Sequence, residues 1–458
     1  MTGFWCERAW LSDRIERGVL VRGHADGAIA EVSKADSPPA GARRLPGLVL
    51  PGLANAHSHA FHRALRGRTH RVAARSGEPA LDAADRPEEP AFGPADSFWT
   101  WREAMYALAA RLDPDGYRRL ATAVYAELVL AGWTCVGEFH YLHHGPGGAR
   151  YDDPNAMSAA LRQAARDAGI RLTLLDACYL TGGIGEPVTG TQLRFSDRTV
   201  DAWAARAGKL ADGPLFRTGA AIHSVRAVPA GALPDVVAAS GGRPLHVHLS
   251  EQPAENQACL AAYGRTPARL LRDAGALGPR TTVVHATHLT GEDVELLGSA
   301  GVTVCACPTT EADLADGIGP MRALADAGCP LALGTDQHAT VDPFAEARGL
   351  EAGQRLVSLR RGRFAPARLV RALTADGYAA LGWPAGGRIA AGAPCDLVAV
   401  RLDSPRTAGC EPEQVVFAAS ASDVDSVIVG GEVVVSGGTH RMGDVGAALA
   451  VAVGQVWA

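Results

Sequence analysis

The alternation of apolar and polar positions divides the chain into two textures. The first 45 residues read as short strands and turns, among them Gly18-Val19-Leu20-Val21 and Ala28-Ile29-Ala30-Glu31-Val32. A similar texture returns in residues 395–400 and 424–435, where Gly430-Gly431 suits a hairpin turn. The expectation is one small β-sandwich domain assembled from both ends of the chain, residues 1–48 and 381–458. In residues 49–380, apolar strands at 134–139, 171–177, 218–222, 245–249, 281–285, 302–306 and 331–334 alternate with helical segments. One such helix, 117–131, carries Leu120, Val124 and Leu128 at i, i+4 and i+8. Adding the apolar run 46–56 gives eight βα units, which places the chain in the α/β class with a (β/α)8 TIM-like barrel. Catalytic groups then belong at the C-terminal ends of the strands.

One stretch breaks this rhythm. Residues 67–97 are rich in Arg, Glu, Asp, Ala and Pro without an apolar period, and they follow the first barrel strand on the face where catalysis is expected. Long loops of this kind are lids or insertions, and the composition does not separate the two. Across all 458 residues, 47% are apolar and 20% charged, the balance of a chain that buries a sizeable core. The formal charge of −5 points to neither nucleic acid nor an anionic membrane as partner. The nine cysteines are scattered and odd in number, and the N-terminus lacks a basic region followed by an apolar one, so a reducing cytoplasm is expected. No uncharged apolar stretch approaches the ~20 residues that span a bilayer.

The chemistry concentrates at strand ends. His57-Ser58-His59 closes the first apolar run; alternate side chains of a strand share a face, so both imidazoles can converge on one cation. Leu245-His246-Val247-His248-Leu249-Ser250-Glu251, then His285, then Leu333-Gly334-Thr335-Asp336 follow at later strand ends. Another His and an Asp would complete a site with one position open for water. Together these elements spell a metal-dependent hydrolase.

The chain resembles the amidohydrolase superfamily, and within it the formimidoylglutamate deiminases. The resemblance rests on Asn55-Ala56-His57-Ser58-His59-Ala60-Phe61-His62-Arg63-Ala64, on Gly137-Glu138-Phe139-His140-Tyr141-Leu142-His143-His144, on Cys307-Pro308-Thr309-Thr310-Glu311-Ala312-Asp313-Leu314, and on the blocks at 97–103, 223–228 and 248–252. It implies that His57, His59, His248 and Asp336 hold one divalent metal, zinc with ferrous iron as the alternative. His285 would orient the attacking water, and Glu251 would relay its proton to the departing nitrogen. The implied substrate is a small dicarboxylate, N-formimidoyl-L-glutamate of histidine degradation. His223 with Arg226 would take one carboxylate, and Arg102 with Tyr125 the other. The resemblance also implies a homodimer. His62 departs from it, because the family carries Gln there; an imidazole titrating near 6.5 should tighten anion binding as pH falls.

Other features read more plainly. His246 is expected to be a satisfied core residue; His140, His143 and His144 favour structural roles over a second metal; Cys305 and Cys307 suit a core or pocket wall. Gly182-Gly183 is a loop turn, since no phosphate cradle leads from a strand into a helix there. Two further readings stay open: a deaminase of a cyclic amidine or nucleobase, and a non-enzymatic scaffold, the latter disfavoured because no metal ligand is missing.

Overall fold

The computed structural model describes residues 2–12, 14–70 and 96–458. Residues 71–95, most of the acidic and basic stretch expected to form a lid or an insertion, lie outside the described residues. Four strands open the chain: β1 (Thr2–Leu11), β2 (Arg14–Gly23), β3 (Ile29–Lys34) and β4 (Arg43–Pro51). Eight follow in the middle: β5 (Leu53–Ser58), β6 (Trp133–His140), β7 (Arg171–Cys178), β8 (Phe216–Ile222), β9 (Leu245–Leu249), β10 (Thr281–His285), β11 (Thr303–Ala306) and β12 (Leu331–Leu333). Four more close it: β13 (Leu397–Val400), β14 (Val424–Val429), β15 (Glu432–Ser436) and β16 (Thr439–His440).

The terminal strands form one mixed sheet in the order β16-β15-β14-β13-β4-β1-β2-β3. Its own core gathers Phe4, Val21, Ile29, Leu397 and Ile428. The apolar run 46–56 serves two sheets. Its first part belongs to β4, paired with β1 and β13, while its second part starts the barrel as β5. Hydrophobicity alone could not locate this change, because both halves are buried. Gly52 marks it, and its amide is held by the Asp396 carbonyl at 2.7 Å. Behind that joint Arg171 grips Asp396 with two hydrogen bonds of 2.9 and 3.1 Å, and Tyr378 donates to the same carboxylate at 2.7 Å.

The central eight strands are all parallel and follow chain order from β5 to β12. Every residue of β6, β7 and β9 is buried, as expected of strands covered on one face by helices and on the other by barrel interior. The helix Pro114–Leu130 shows how the cover is built. Asp113 accepts the Gly116 amide at 2.7 Å as its N-cap, Pro114 occupies the first turn, and Tyr117, Leu120, Val124, Tyr125 and Leu128 face inward. The C-terminal helix Val445–Trp457 packs on the same helix.

The barrel closes at its chemical end. Ser58 pairs with Asp336 in a parallel bridge, with Asp336 N donating to His57 O and His59 N to Asp336 O, both at 3.0 Å. The Asn55 side chain clasps Thr335, donating to its hydroxyl at 2.6 Å and accepting its amide at 3.0 Å. Gly334 permits this seam, since a Cβ there would sit 2.8 Å from both the Cβ and the carbonyl oxygen of His57.

Candidate active site

Closing the barrel in this way brings His57, His59 and Asp336 together, and β9 adds His248. His57 Nε2 lies 3.1 Å from His248 Nε2; Asp336 Oδ1 lies 3.3 Å from His57 Nε2 and 3.4 Å from His59 Nε2. Four donors held at 2.0–2.1 Å around a tetrahedral zinc ion stand ~3.3 Å apart, so this spacing fits the ion. The ring tautomers fit as well. His59 Nδ1 donates to Phe139 O at 2.9 Å and His248 Nδ1 to His223 O at 2.8 Å, which leaves both Nε2 lone pairs aimed at the shared point. Burial lowers the pKa of His57, His59 and His248, so the neutral ligand form prevails. Burial opposes ionisation of Asp336, yet its contacts with His57, His285 and His59 hold the carboxyl well below the usual carboxylate range.

Three strand-end residues adopt left-handed backbone at this face: Ser250 (φ +50°), His285 (φ +70°) and Asp336 (φ +44°). Such conformations cost ~1–3 kcal/mol in non-glycine residues and persist where packing overrides them. Here they turn the chain sharply at the end of its strand, and Ser250 immediately precedes Glu251. His285 Nε2 stands 3.6 Å from Glu251 Oε1 and 4.0 Å from Asp336 Oδ2, while its Nδ1 faces Glu311 at 3.4 Å. Burial works against a charged His285, but the carboxylates of Glu251, Asp336 and Glu311 keep it well above the usual imidazole range. Burial also raises Glu251, a direction that suits a group which must take up and return a proton.

In front of these groups lies a cavity of about 70 Å³. His59, His248, Asp336, Glu251 and His285 form its floor, aromatic side chains including Trp101, Tyr106 and Tyr179 its walls, and Arg102 and Arg226 bring cations to it. Arg102 stacks on Trp99, its guanidinium carbon 4.5 Å from the ring centre. Arg226 reaches toward Glu255 at 3.4 Å and Glu251 at 3.9 Å. In both arginines Nε is buried without a hydrogen-bond partner among the described residues. His223, three residues before Arg226, also lines the cavity.

Two expectations need correction. Tyr125 does not reach the cavity: it is fully buried on the inward face of Pro114–Leu130, near Glu138. Tyr141 lines the cavity in its stead, donor or acceptor to His62 Nε2 at 2.8 Å. Tyr141 sits just beyond the end of β6, where the strand-end rule could have found it, whereas Tyr125 follows the apolar period of a helix. His62 lines the cavity too, but burial pushes its pKa down to about 3, so it is neutral across the range where a charge was expected.

Beneath the floor runs a chain of buried polar groups that the sequence did not expose. One proton arrangement satisfies it throughout: Asn55 donates to Thr335 (2.6 Å), the Thr335 hydroxyl to His338 Nδ1 (3.1 Å), His338 Nε2 to Ser58 (3.1 Å) and Ser58 to Glu138 (2.9 Å). Glu138 also accepts the Ala60 amide at 2.7 Å. His246 hydrogen-bonds Ala380 O at 2.9 Å and is buried, and Cys305 and Cys307 are packed inside the barrel. His140, His143 and Asp176 offer atoms close enough for a metal, but Arg206 already holds Asp176 at 2.7 and 2.8 Å and Asp197 at 2.8 Å.

The model of the "Amidohydrolase family" matches residues 48–434. The chain belongs to the amidohydrolase family. This amidohydrolase is 36% identical over 457 residues to the formimidoylglutamate deiminase of Pseudomonas aeruginosa, covering 96% of each chain. It is 30% identical over 406 residues to the 8-oxoguanine deaminase of the same organism, covering 84% of this chain and 81% of the relative. Among solved structures, an amidohydrolase from Brucella melitensis superposes with a TM-score of 0.87 at 29% identity, with both chains fully covered. The amidohydrolase is thus a hydrolase of C–N bonds, in the deaminase branch of its superfamily.

Proposed function

We propose that this amidohydrolase converts N-formimidoyl-L-glutamate to N-formyl-L-glutamate and ammonium. The observation that carries the reading is the pair Arg102 and Arg226, brought to one cavity in front of a hydrolytic floor, with Arg102 Nε free of a hydrogen-bond partner among the described residues and Arg226 Nε facing Glu255 at 3.4 Å. A planar guanidinium matches a carboxylate, and a diacid has two of them to place. The long match to a formimidoylglutamate deiminase supports the same substrate.

The donor set His57, His59, His248 and Asp336 fits zinc. A zinc ion held there would acidify a bound water and so supply the nucleophile at neutral pH. The remaining steps belong to the protein. Arg226 with His223 and Arg102 with Tyr141 anchor the two carboxylates, which fixes the amidine carbon over the floor. His285 orients the attacking water. Glu251 accepts a proton from that water and delivers it to the terminal nitrogen as the C–N bond breaks and its electron pair leaves with nitrogen. The balance is R–NH–CH=NH₂⁺ + H₂O → R–NH–CHO + NH₄⁺, so the substrate's positive charge departs on the ammonium.

Arg226→Met and Arg102→Met test the assignment. Each should raise KM for the diacid about 10–100-fold, the loss of one charge-assisted contact, while metal content stays at the wild-type level. The defect of each variant should shrink on the monoacid analogue that lacks the matching carboxylate. Equal defects on diacid and monoacid would contradict carboxylate recognition.

A further inference from the structure

Behind Glu251 stands a carboxyl group that the mechanism above does not use. Asp316 lies in the turn that follows the helix Pro308–Asp313 and is 3% exposed. Its backbone fixes it firmly, N–H donating to Glu311 O at 2.9 Å and O accepting from His288 Nε2 at 2.8 Å. Gln252 donates to Oδ1, while Oδ2 is buried with no partner among the described residues. Oxygen atoms of Asp316 and Glu251 and a ring nitrogen of His285 all lie within 4.8 Å of one another.

A second, independent group shares the unpaired condition. The hydroxyl of Thr287, 6% exposed, is buried without a partner among the described residues, and the methyl of the same side chain borders Gly317, the neighbour of Asp316 in the turn. Oxygen atoms left without a partner can be met by a small species that carries only donors. Ammonium is such a species: with N–H···O distances of ~2.8 Å, two of its acceptors stand ~4.6 Å apart, a spacing compatible with oxygens that lie within 4.8 Å of one another. Burial, and then the Glu251 charge, push the Asp316 carboxyl up to about 9, as befits two carboxyl groups that need a cation or a proton between them.

The geometry points to a receiving site for the product ammonium between Glu251 and Asp316, with Thr287 at its edge. The assignment rests on deaminase chemistry at this floor: the nitrogen leaves from the tip of Glu251 and moves one hydrogen-bond length to Asp316. It makes Asp316 a product-binding residue and gives ammonium a place outside the path by which the formyl diacid leaves.

Crystals of the zinc-loaded enzyme soaked in thallous acetate test the site without any substrate, since the thallous ion matches ammonium in charge and size. An anomalous peak between Glu251 and Asp316, lost in Asp316→Asn, is expected. In solution, inhibition by ammonium chloride, against tetramethylammonium chloride as ionic control, should weaken about tenfold in Asp316→Asn, with KM for the substrate changing less than about twofold. Thr287→Val, which leaves the Gln252–Asp316 contact in place, should weaken the inhibition in the same direction if Asp316→Asn does not fold. No thallous peak in the wild-type enzyme, or unchanged ammonium inhibition in either folded variant, overturns the proposal. The soak stands whether or not formimidoylglutamate proves to be the substrate.

Discussion

Glu138→Ala should loosen the metal site without removing a ligand. One carboxylate, wholly buried, accepts Ser58 Oγ at 2.9 Å and the Ala60 amide at 2.7 Å, with the Tyr117 hydroxyl at 3.4 Å. Residues 58 and 60 flank His59, so Glu138 clamps this ligand from both sides, while the next residue, Phe139, holds its ring through Nδ1. Alanine would orphan a backbone donor that cannot turn away, and each orphaned buried donor costs about 1–3 kcal/mol. The two hydroxyls can rotate, so the total is about 2–4 kcal/mol of stability. Loss of a group that orients a ligand typically weakens metal binding 10–100-fold. Glu138→Gln should fall between, since its carbonyl keeps one of the two strong contacts and its NH₂ group opposes the other. Burial pushes Glu138 up to about 8, opposed by the hydrogen bonds it accepts from Ala60 and Ser58, so a neutral amide at this position costs less than it would at an exposed carboxylate. Titration of the zinc enzyme with a competing chelator reads the affinity, and urea unfolding reads the stability. An alanine variant that is destabilised yet binds zinc within about twofold of wild type would refute the clamp and leave Glu138 as packing alone.

Two further outcomes follow from the site. Glu251→Gln should retain zinc and substrate affinity but lose about 10²–10⁴-fold in kcat, measured as ammonia release; full activity would mean that another group moves the proton. For His62→Gln, KM is expected to be as flat between pH 6 and 8 as in the wild type, because burial keeps His62 neutral well above its pKa of about 3; a wild-type KM that falls as pH drops toward 6, and a variant KM that does not, would show that His62 does carry charge.

Much of this was legible in the sequence, and the failures have identifiable causes. The eight parallel strands are buried on both faces and therefore stand out as apolar runs, and His57, His59, His248, His285 and Asp336 fall at or just beyond their C-terminal ends in the sequence pattern. Where β4 passes into β5, two buried strands of different sheets read as a single run, because hydropathy reports burial and not pairing. Family resemblance places Tyr125 at the substrate, whereas the helical period around Leu120, Val124 and Leu128 puts it on a core face. Asp316 and Glu138 were invisible for a different reason. Their significance lies in partners far away in sequence, Gln252 and His288 for one and Ser58 and Ala60 for the other, and spacing along the chain carries no trace of such contacts. The pKa of His62 belongs to the same class, since burial moves it and composition does not report burial.

The most direct measurement is ammonia release by the zinc-loaded enzyme from N-formimidoyl-L-glutamate, set beside 8-oxoguanine and S-adenosylhomocysteine, with the organic product identified by mass. The account predicts that the formimidoyl diacid is turned over with a kcat/KM of at least ~10⁴ M⁻¹s⁻¹ and yields N-formylglutamate, with little ammonia from either ring compound. Preferred turnover of a nucleobase or nucleoside, with the diacid inert, would contradict it.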